Sequence, residues 1–223
     1  MRQRITCSIV LVLVAVSSFV PAGGAAGIAF RASKARYLDS EDVVLRLANN
    51  TSERIELLGG AILDRSTGDK VGRLEPKRRY LPPDSTHDWI WSHGGRVGRF
   101  AARMNTSAGR FNTRFQVGAY FTLGFDGRDD TFVIYVHRAK PIRHLREDLT
   151  RPQEERRIVS GIVRREMPYN DRWSYSMGSG SIILADVWIE ACDANPRYVE
   201  RHRKEWMGKR WCPWSSYVAF EGS

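Results

Sequence analysis

Three carboxylates near the carboxyl-terminal cysteines are the residues whose types and spacing could do chemistry. Asp186, Glu190 and Asp193 lie close together in the chain. Paired carboxylates act as acid and base in glycoside hydrolases, and carboxylate oxygens are ligands that calcium prefers. The abundant arginines of the chain could instead neutralise them as ordinary ion pairs. The spacing alone leaves these three hypotheses open.

Aromatic and amide side chains form a second candidate set. Rigid aromatic rings supply a large contact area for a sugar or a peptide, but they also cap hydrophobic cores. Together with the three carboxylates, we predict that these residues form a binding site. They are Tyr169, Asn170, Trp173, Trp211 and Trp214.

Two histidines, His87 and His93, flank Trp89 and Trp91. A metal site would need at least one further ligand. We interpret the alternating tryptophans as core or rim residues of a strand and expect the histidines to face solvent. The sequence also lacks a nucleophile elbow, a zinc signature and a dinucleotide-binding loop. We therefore predict no catalytic residue, no metal and no cofactor.

The first 27 residues have the layout of a secretory signal peptide. Arg2 and Arg4 precede an apolar run from Ile9 to Val20, and small residues follow up to Gly27. No later stretch is long and apolar enough to span a bilayer. We therefore expect a secreted protein, or one of the periplasm or cell envelope, with a signal peptide over residues 1–27.

The chain carries a formal net charge of +10. Such a charge favours acidic partners, although it also serves solubility. One segment, Gly94–Gly109, is rich in glycine and arginine, and we interpret it as a mobile basic loop that could meet an anionic partner. We expect an extracellular protein or an anionic polymer as partner, and no specific nucleic acid.

Cys192 and Cys212 are the two cysteines that follow the signal segment. Exported chains meet an oxidising compartment, and the separation of these cysteines does not fit zinc-ligand spacing. A disulfide between them would close a loop of about 20 residues and contribute about 3 kcal/mol. A free nucleophile or a metal pair is the alternative.

From Ser40 to Val117 the sequence predicts short strands separated by turns, which is typical of an antiparallel sandwich. Gly59-Gly60 is expected to break one strand. The segments VVLRLANNTSERIEL, ILDRSTGDKV and PPDSTHDWIW resemble the immunoglobulin-like domain of the intracellular proteinase inhibitor family. We therefore predict an Ig-like β-sandwich over residues 28–118.

The second half, residues 119–223, predicts an α+β module. A hairpin turns at Asp126-Gly127-Arg128, and Pro141 opens a short helix. Ile182–Cys192 alternates as one long strand, with Asp186, Glu190 and Cys192 on one face. Asn195 caps a basic helix over Pro196–Met207, which could bind a calmodulin-like groove or an anionic membrane, or could simply pack on the sheet.

Several motifs of this half resemble the N-terminal module of the slime-mould calmodulin-binding protein family. They are VSGIVRREMPYNDRWSYSM, SIILADVWIEACDANPRYVE and RWCPWSS, within Ala119 to Glu221. The sequence departs from that pattern at Ser176, Gly178 and Ser179, where relatives tend to show His, Asp and Pro. The resemblance implies a binding role, but we do not expect calmodulin itself as the partner of an exported bacterial-type protein.

These features predict a mostly β protein in which an Ig-like sandwich precedes a disulfide-stapled α+β module. The predicted function is non-enzymatic binding of a protein or an anionic surface partner. One alternative is a secreted inhibitor of a protease or related enzyme. Another is a hydrolase that uses Glu190 or Asp193.

Overall fold

The structure is a computed structural model that describes residues 27–222. The predicted signal peptide, residues 1–27, lies outside the described residues except for Gly27. Strands dominate the regular structure, which confirms the prediction of a mostly β protein. No helix within residues 27–222 is long and apolar enough to cross a membrane.

The first part of the chain forms a succession of strands with alternating burial. In β3, for example, Val43, Leu45 and Leu47 are fully buried while the residues between them are more exposed. This period of two is what a strand shows when one face covers a core. The strands are β1 (Ile28–Ala32), β2 (Arg36–Leu38), β3 (Val43–Asn49), β4 (Ile55–Asp64), β5 (Lys70–Leu74), β6 (Tyr80–Leu81), β7 (Ser85–Trp91) and β8 (Gly98–Thr106).

These strands belong to two sheets that share one core. Strands β1, β3 and β7 form an antiparallel sheet. A larger sheet contains β4, β5 and β8, and its longest strand is β9 (Gly109–Phe125). Buried side chains from both sheets form a single hydrophobic cluster that extends to Val117.

Two local predictions for this region are wrong. Strand β4 continues through Gly59-Gly60, because a bare glycine at position 60 lets β8 approach closely; an added Cβ would lie 2.1 Å from the carbonyl oxygen of Arg103. The predicted mobile loop at Gly94–Gly109 is largely strand β8. That strand hydrogen-bonds to β4 on one side and to β9 on the other, which fixes its backbone.

The predicted exposure of the two histidines is also wrong. His87 and His93 are only 8% and 5% exposed. His87 shares the inward face of β7 with Trp89 because the two positions are two residues apart. His93 places Nε2 2.8 Å from the carbonyl oxygen of Glu41. Among the described residues, no group of three or more His, Cys, Asp or Glu side chains could hold a metal ion.

The second half combines strands with short helices. The hairpin turn at Asp126-Gly127 is confirmed, because Phe125 pairs with Arg128 across it. The elements are β10 (Arg128–Val136), α1 (Ala139–Leu149), β11 (Ile158–Arg165), β12 (Tyr175–Met177), β13 (Ile183–Ala185), α2 (Pro196–Arg201), α3 (Arg203–Trp206), β14 (Arg210–Trp211) and β15 (Ser216–Glu221). Single 3-10 turns lie at Gln153–Glu155, Pro168–Asn170 and Glu190–Cys192.

Strand β9 passes without interruption from the first half to the second. Val117 is the last buried residue of the first hydrophobic cluster, and Ala119 is the first of a second cluster. The second cluster lies among β9, β10, β11, β15 and helix α1. The division into two domains at residue 118 stays a prediction, since one strand serves both cores.

The predicted long strand over Ile182–Cys192 is wrong. Only β13 is extended and paired, because its partner β11 begins at Ile158, which lies opposite Ala185. Beyond Ala185 no residue of β11 remains to accept the chain. Val187 and Ile189, predicted to face the core, are therefore 80% and 71% exposed.

The predicted disulfide is confirmed, with the Cα atoms of Cys192 and Cys212 5.3 Å apart. The helix between these cysteines starts as predicted, since Asn195 Oδ1 accepts a hydrogen bond from the backbone N–H of Tyr198 at 2.9 Å. It is not one helix, however. It divides at His202, whose backbone is non-helical (φ −107°, ψ 25°), into α2 and α3.

Candidate functional site

The predicted acidic residues lie on an exposed surface. Asp186, Glu190 and Asp193 are all exposed. Asp193 has a structural contact, because its Oδ1 accepts a hydrogen bond from the backbone N–H of Trp214 at 2.9 Å. This bond ties together the two segments that the disulfide also joins. The predicted common strand face of Asp186, Glu190 and Cys192 is absent, because the chain leaves the sheet after Ala185.

Three of the predicted aromatic and amide residues are buried, and their polar atoms are satisfied inside the protein. Trp211 has no exposed surface, and its Nε1 donates to the carbonyl oxygen of Ala194 at 2.8 Å. Trp173 Nε1 donates to Thr131 O at 2.8 Å. Asn170 Oδ1 accepts from the backbone N–H of Val133 at 3.0 Å. These contacts hold the second core together, and the three side chains do not line one surface groove.

The other two residues of that set lie apart from each other. Trp214 is 45% exposed and follows the buried disulfide. Tyr169 packs between the halves, with its ring 5.2 Å from that of Tyr120 and 5.4 Å from the guanidinium carbon of Arg36. The predicted binding residues therefore do not converge, and their joint role in binding stays a prediction.

A cleft of about 760 Å³ lies elsewhere, between the first half and the second. The first half supplies the ends of β4 and β8 and a residue of β9. The second half supplies the β10–α1 junction, β11 and the loop before β13. Its polar lining residues are Asp64, Ser66, Arg99, Gln116, His137, Arg138, Arg164, Ser179 and Ser181.

Strand pairing positions the arginines of this cleft. Arg99 of β8 lies opposite Gln116 of β9. Strand β9 then pairs with β10, which delivers His137 and Arg138 one and two residues beyond its end. Arg164 of β11 lies opposite Ser176 of β12. Hence Arg99, Arg138 and Arg164, which are distant in sequence, line one space that we term the arginine cleft.

The arginine cleft is electropositive. Within residues 27–222, no carboxylate lies within 4.0 Å of the guanidinium nitrogens of these three arginines. Arg138 Nη1 lies 3.4 Å from the carbonyl oxygen of Gly180, which leaves its other N–H groups available. Asp64 is the one acid among the lining residues, and its Oδ1 accepts from the backbone N–H of Ser66 at 2.6 Å.

His137 is the buried titratable group of the arginine cleft. It is 8% exposed, and its Nδ1 has no hydrogen-bond partner among the described residues. Burial, and then the positive charges of Arg99, Arg138 and Arg36, lower the pKa of His137 to about 4. The imidazole is therefore neutral at physiological pH.

Two further polar atoms beside the cleft lack a partner in the described part of the chain. They are Gln116 Oε1 and Arg36 Nε, and the two residues lie opposite each other in the parallel pairing of β2 with β9. The Arg36 guanidinium lies over the rings of Tyr135 and Tyr169, 5.6 and 5.4 Å from their centroids. Buried polar groups without partners are rare in folded proteins, so this side of the cleft has spare hydrogen-bonding capacity.

The sequence carried only fragments of this site. The glycine- and arginine-rich segment that contains Arg99 was a signal for an anionic partner, although its predicted structure was wrong. Gly178 and Ser179, two of the three departures from the slime-mould pattern, line the cleft. His137 and Arg164 gave no signal, because they meet Arg99 only through the strand pairing described above.

Fold and cleft together define a mostly β, disulfide-bonded protein with an arginine-lined cleft between its halves. Residues 118–222 match the family model of the N-terminal domain of a calmodulin-binding protein family. This match confirms the predicted resemblance to the slime-mould module, and it covers just under half of the chain. A search of the curated proteins found no match.

Proposed function

We propose that this protein is a non-enzymatic binding module that takes an anionic group of its partner into the arginine cleft. The observation that carries the proposal is the convergence of Arg99, Arg138 and Arg164 on one cleft without a carboxylate within ion-pair distance among the described residues. Buried or clustered arginines are usually paired, so an unpaired cluster has charge available for a ligand.

The chemistry of arginine fits this role. A guanidinium presents its N–H groups in a planar fork that matches the oxygens of carboxylate, sulfate and phosphate groups. A cleft lined by charges of one sign also concentrates the field and accelerates the arrival of an oppositely charged partner. The net charge of +10 acts in the same direction over the whole surface.

We propose an acidic extracellular polymer as the partner class, in preference to a folded protein. A cleft admits a chain or a single charged group more readily than the flat surface of a globular partner. The signal-peptide pattern and the disulfide support a place outside the cytoplasm, where such polymers occur and where disulfides persist.

We also propose that the first half is an Ig-like β-sandwich. Two sheets that share one hydrophobic cluster support that proposal. The inhibitor hypothesis and the hydrolase hypothesis gain no supporting contact from the described residues. Glu190 and Asp193 are exposed, and the only side-chain contact found for Asp193 is with a backbone N–H.

Binding of a charged polymer and its neutral parent tests the proposal. We expect the protein to bind dextran sulfate and not unmodified dextran, as measured by isothermal titration calorimetry. The double variant R99Q/R164Q should weaken dextran sulfate binding by roughly tenfold or more, because each lost charge-assisted hydrogen bond contributes about 1.5–3 kcal/mol before solvent screening.

The matched control is R128Q, which removes one arginine from the far end of the β9–β10 hairpin. Phe125, which pairs with Arg128, is seven residues along β9 from Gly118, or roughly 23 Å at about 3.3 Å per residue. R128Q should leave the affinity within about twofold of the original value. Equal losses in R128Q and in the double variant would refute a specific role of the cleft.

A further inference from the structure

Helix α1 begins at the arginine cleft. Its N-cap residue is Arg138, and no side chain of the described residues caps it. Ala139, the first helical residue, lines the cleft. The first N–H to donate within the helix is that of Ile142, to the carbonyl oxygen of Arg138 at 3.2 Å. The N–H groups of Ala139 and Lys140 precede it and have no intrahelical partner.

The first turn of α1 contains no acidic residue. The partial positive charge of its N-terminus is therefore not neutralised from within the turn. Helix N-termini of this kind bind anions because backbone N–H groups and the helix dipole act together. Such a terminus is common, and it becomes a site only where other groups of the cleft also point to a ligand.

His137 is the independent observation. Its side chain is buried and lines the same cleft, and its Nδ1 has no partner among the described residues. The chain approaches it closely at Gly180, where an added Cβ would lie 3.3 Å from His137 Cε1. An imidazole that is more than nine-tenths buried normally finds a hydrogen-bond partner. The missing partner is supplied if a ligand atom occupies the cleft.

We propose that the arginine cleft seats a tetrahedral oxyanion, a sulfate or a phosphoryl group, against the first turn of α1, with His137 as a neutral hydrogen-bond donor. This inference rests on the proposed function and names its ligand class. Donors approach from the helix terminus, from the imidazole and from arginines on both walls. A tetrahedral oxyanion has acceptor oxygens in all of these directions, whereas a planar carboxylate has acceptors in one plane.

The test is an NMR titration of the purified protein with sodium sulfate, sodium phosphate and sodium acetate at constant ionic strength. We expect saturable shifts of the backbone amides of Ala139 and Lys140 with sulfate and with phosphate. Acetate should bind at least tenfold more weakly. Equal affinity for acetate, or shifts spread over surface arginines without saturation at α1, would overturn the inference.

A substitution of the donor provides the second readout. H137Q should weaken sulfate binding by about tenfold, while H144Q, further along the same helix, should leave it unchanged. In the original protein, sulfate should raise the pKa of His137 from about 4, because a bound anion favours the imidazolium. An unchanged pKa at saturating sulfate would contradict the assigned contact. If H137Q does not fold, the amide titration still decides the question.

The two proposals fail in different ways. If R99Q/R164Q loses dextran sulfate binding but free sulfate and phosphate bind no better than acetate, the oxyanion seat is wrong and the anionic partner stands. If dextran sulfate binding does not depend on Arg99 and Arg164, the proposed function is wrong, whatever the small anions do.

Discussion

At the scale of the residue, His137 links the arginine cleft to stability. Its neighbours carry positive charge, and the residue itself is buried, so the folded protein holds the imidazole neutral. The unfolded chain has no such constraint and takes up a proton at the ordinary pKa of about 6.5. Between that value and about 4, the unfolded state therefore binds more protons at this residue than the folded state does.

This difference predicts a loss of stability in acid. The contribution of His137 is fully present above about pH 6.5 and decreases as the pH falls toward 4, by up to about 3 kcal/mol and less where water in the cleft screens the arginines. Urea unfolding at pH 7 and pH 4.5 measures it. H137Q should show a smaller difference between the two pH values than the original protein. The same difference in both proteins would contradict the assignment.

The predicted binding residues show why a residue's type does not reveal its place. Trp211 and Trp173 have the rings of a sugar-binding groove, yet their indole N–H groups donate to carbonyl oxygens inside the protein. The sequence does not show which segment supplies those carbonyls. His87 is different: its position two residues from Trp89 already placed it on the same face, and this spacing could have predicted its burial.

At the scale of the element, Gly118 is the point in β9 where the two cores meet. A Cβ at this position would lie 2.1 Å from the carbonyl oxygen of Val136, a backbone atom that cannot turn away. G118A should therefore destabilise the protein by about 3 kcal/mol through overpacking. Chemical denaturation measures the change.

Gly68 offers the comparison, because a Cβ there would meet nothing within 4 Å. Its φ of +84° makes alanine costly by only about 1–2 kcal/mol. A cost of G118A no larger than that of G68A would show that β10 moves aside easily at this point.

The disulfide acts mainly on the unfolded chain. The double variant C192S/C212S releases a loop with a sequence separation of 20, and should lower the free energy of unfolding by about 3 kcal/mol. Neither cysteine lines the arginine cleft, so dextran sulfate affinity of the folded variant should be retained. A loss of affinity without loss of stability would place the binding site near the disulfide.

The elements divide into those set by local signals and those set by partners. The Asp126-Gly127 turn and the Asn195 cap depend on neighbouring residues, and both were predictable. The end of β13 depends on where β11 begins, which no residue of the 182–192 segment encodes. Alternation there was therefore misleading.

At the scale of the whole molecule, the two halves are joined by more than strand β9. Tyr135 O–H of the second half donates to the carbonyl oxygen of Tyr37 at 3.1 Å, and Arg146 of α1 pairs with Asp39 at 2.7 Å. The arginine cleft needs both halves, because Arg99 lies on one side and Arg138 and Arg164 on the other. Composition indicated an acidic partner, but only this assembly gives the positive charge a location.

The central claim is that the arginine cleft binds an anionic polymer, and the salt dependence of affinity tests it most directly. Each cation that contacts the polymer releases counterions, so the logarithm of the association constant falls linearly with the logarithm of salt concentration, by about one unit of slope for each contact. We predict a steep slope for dextran sulfate, reduced by about two units in R99Q/R164Q and by less than one in R128Q. A flat salt dependence, or the same slope in the original protein and the double variant, would contradict the account.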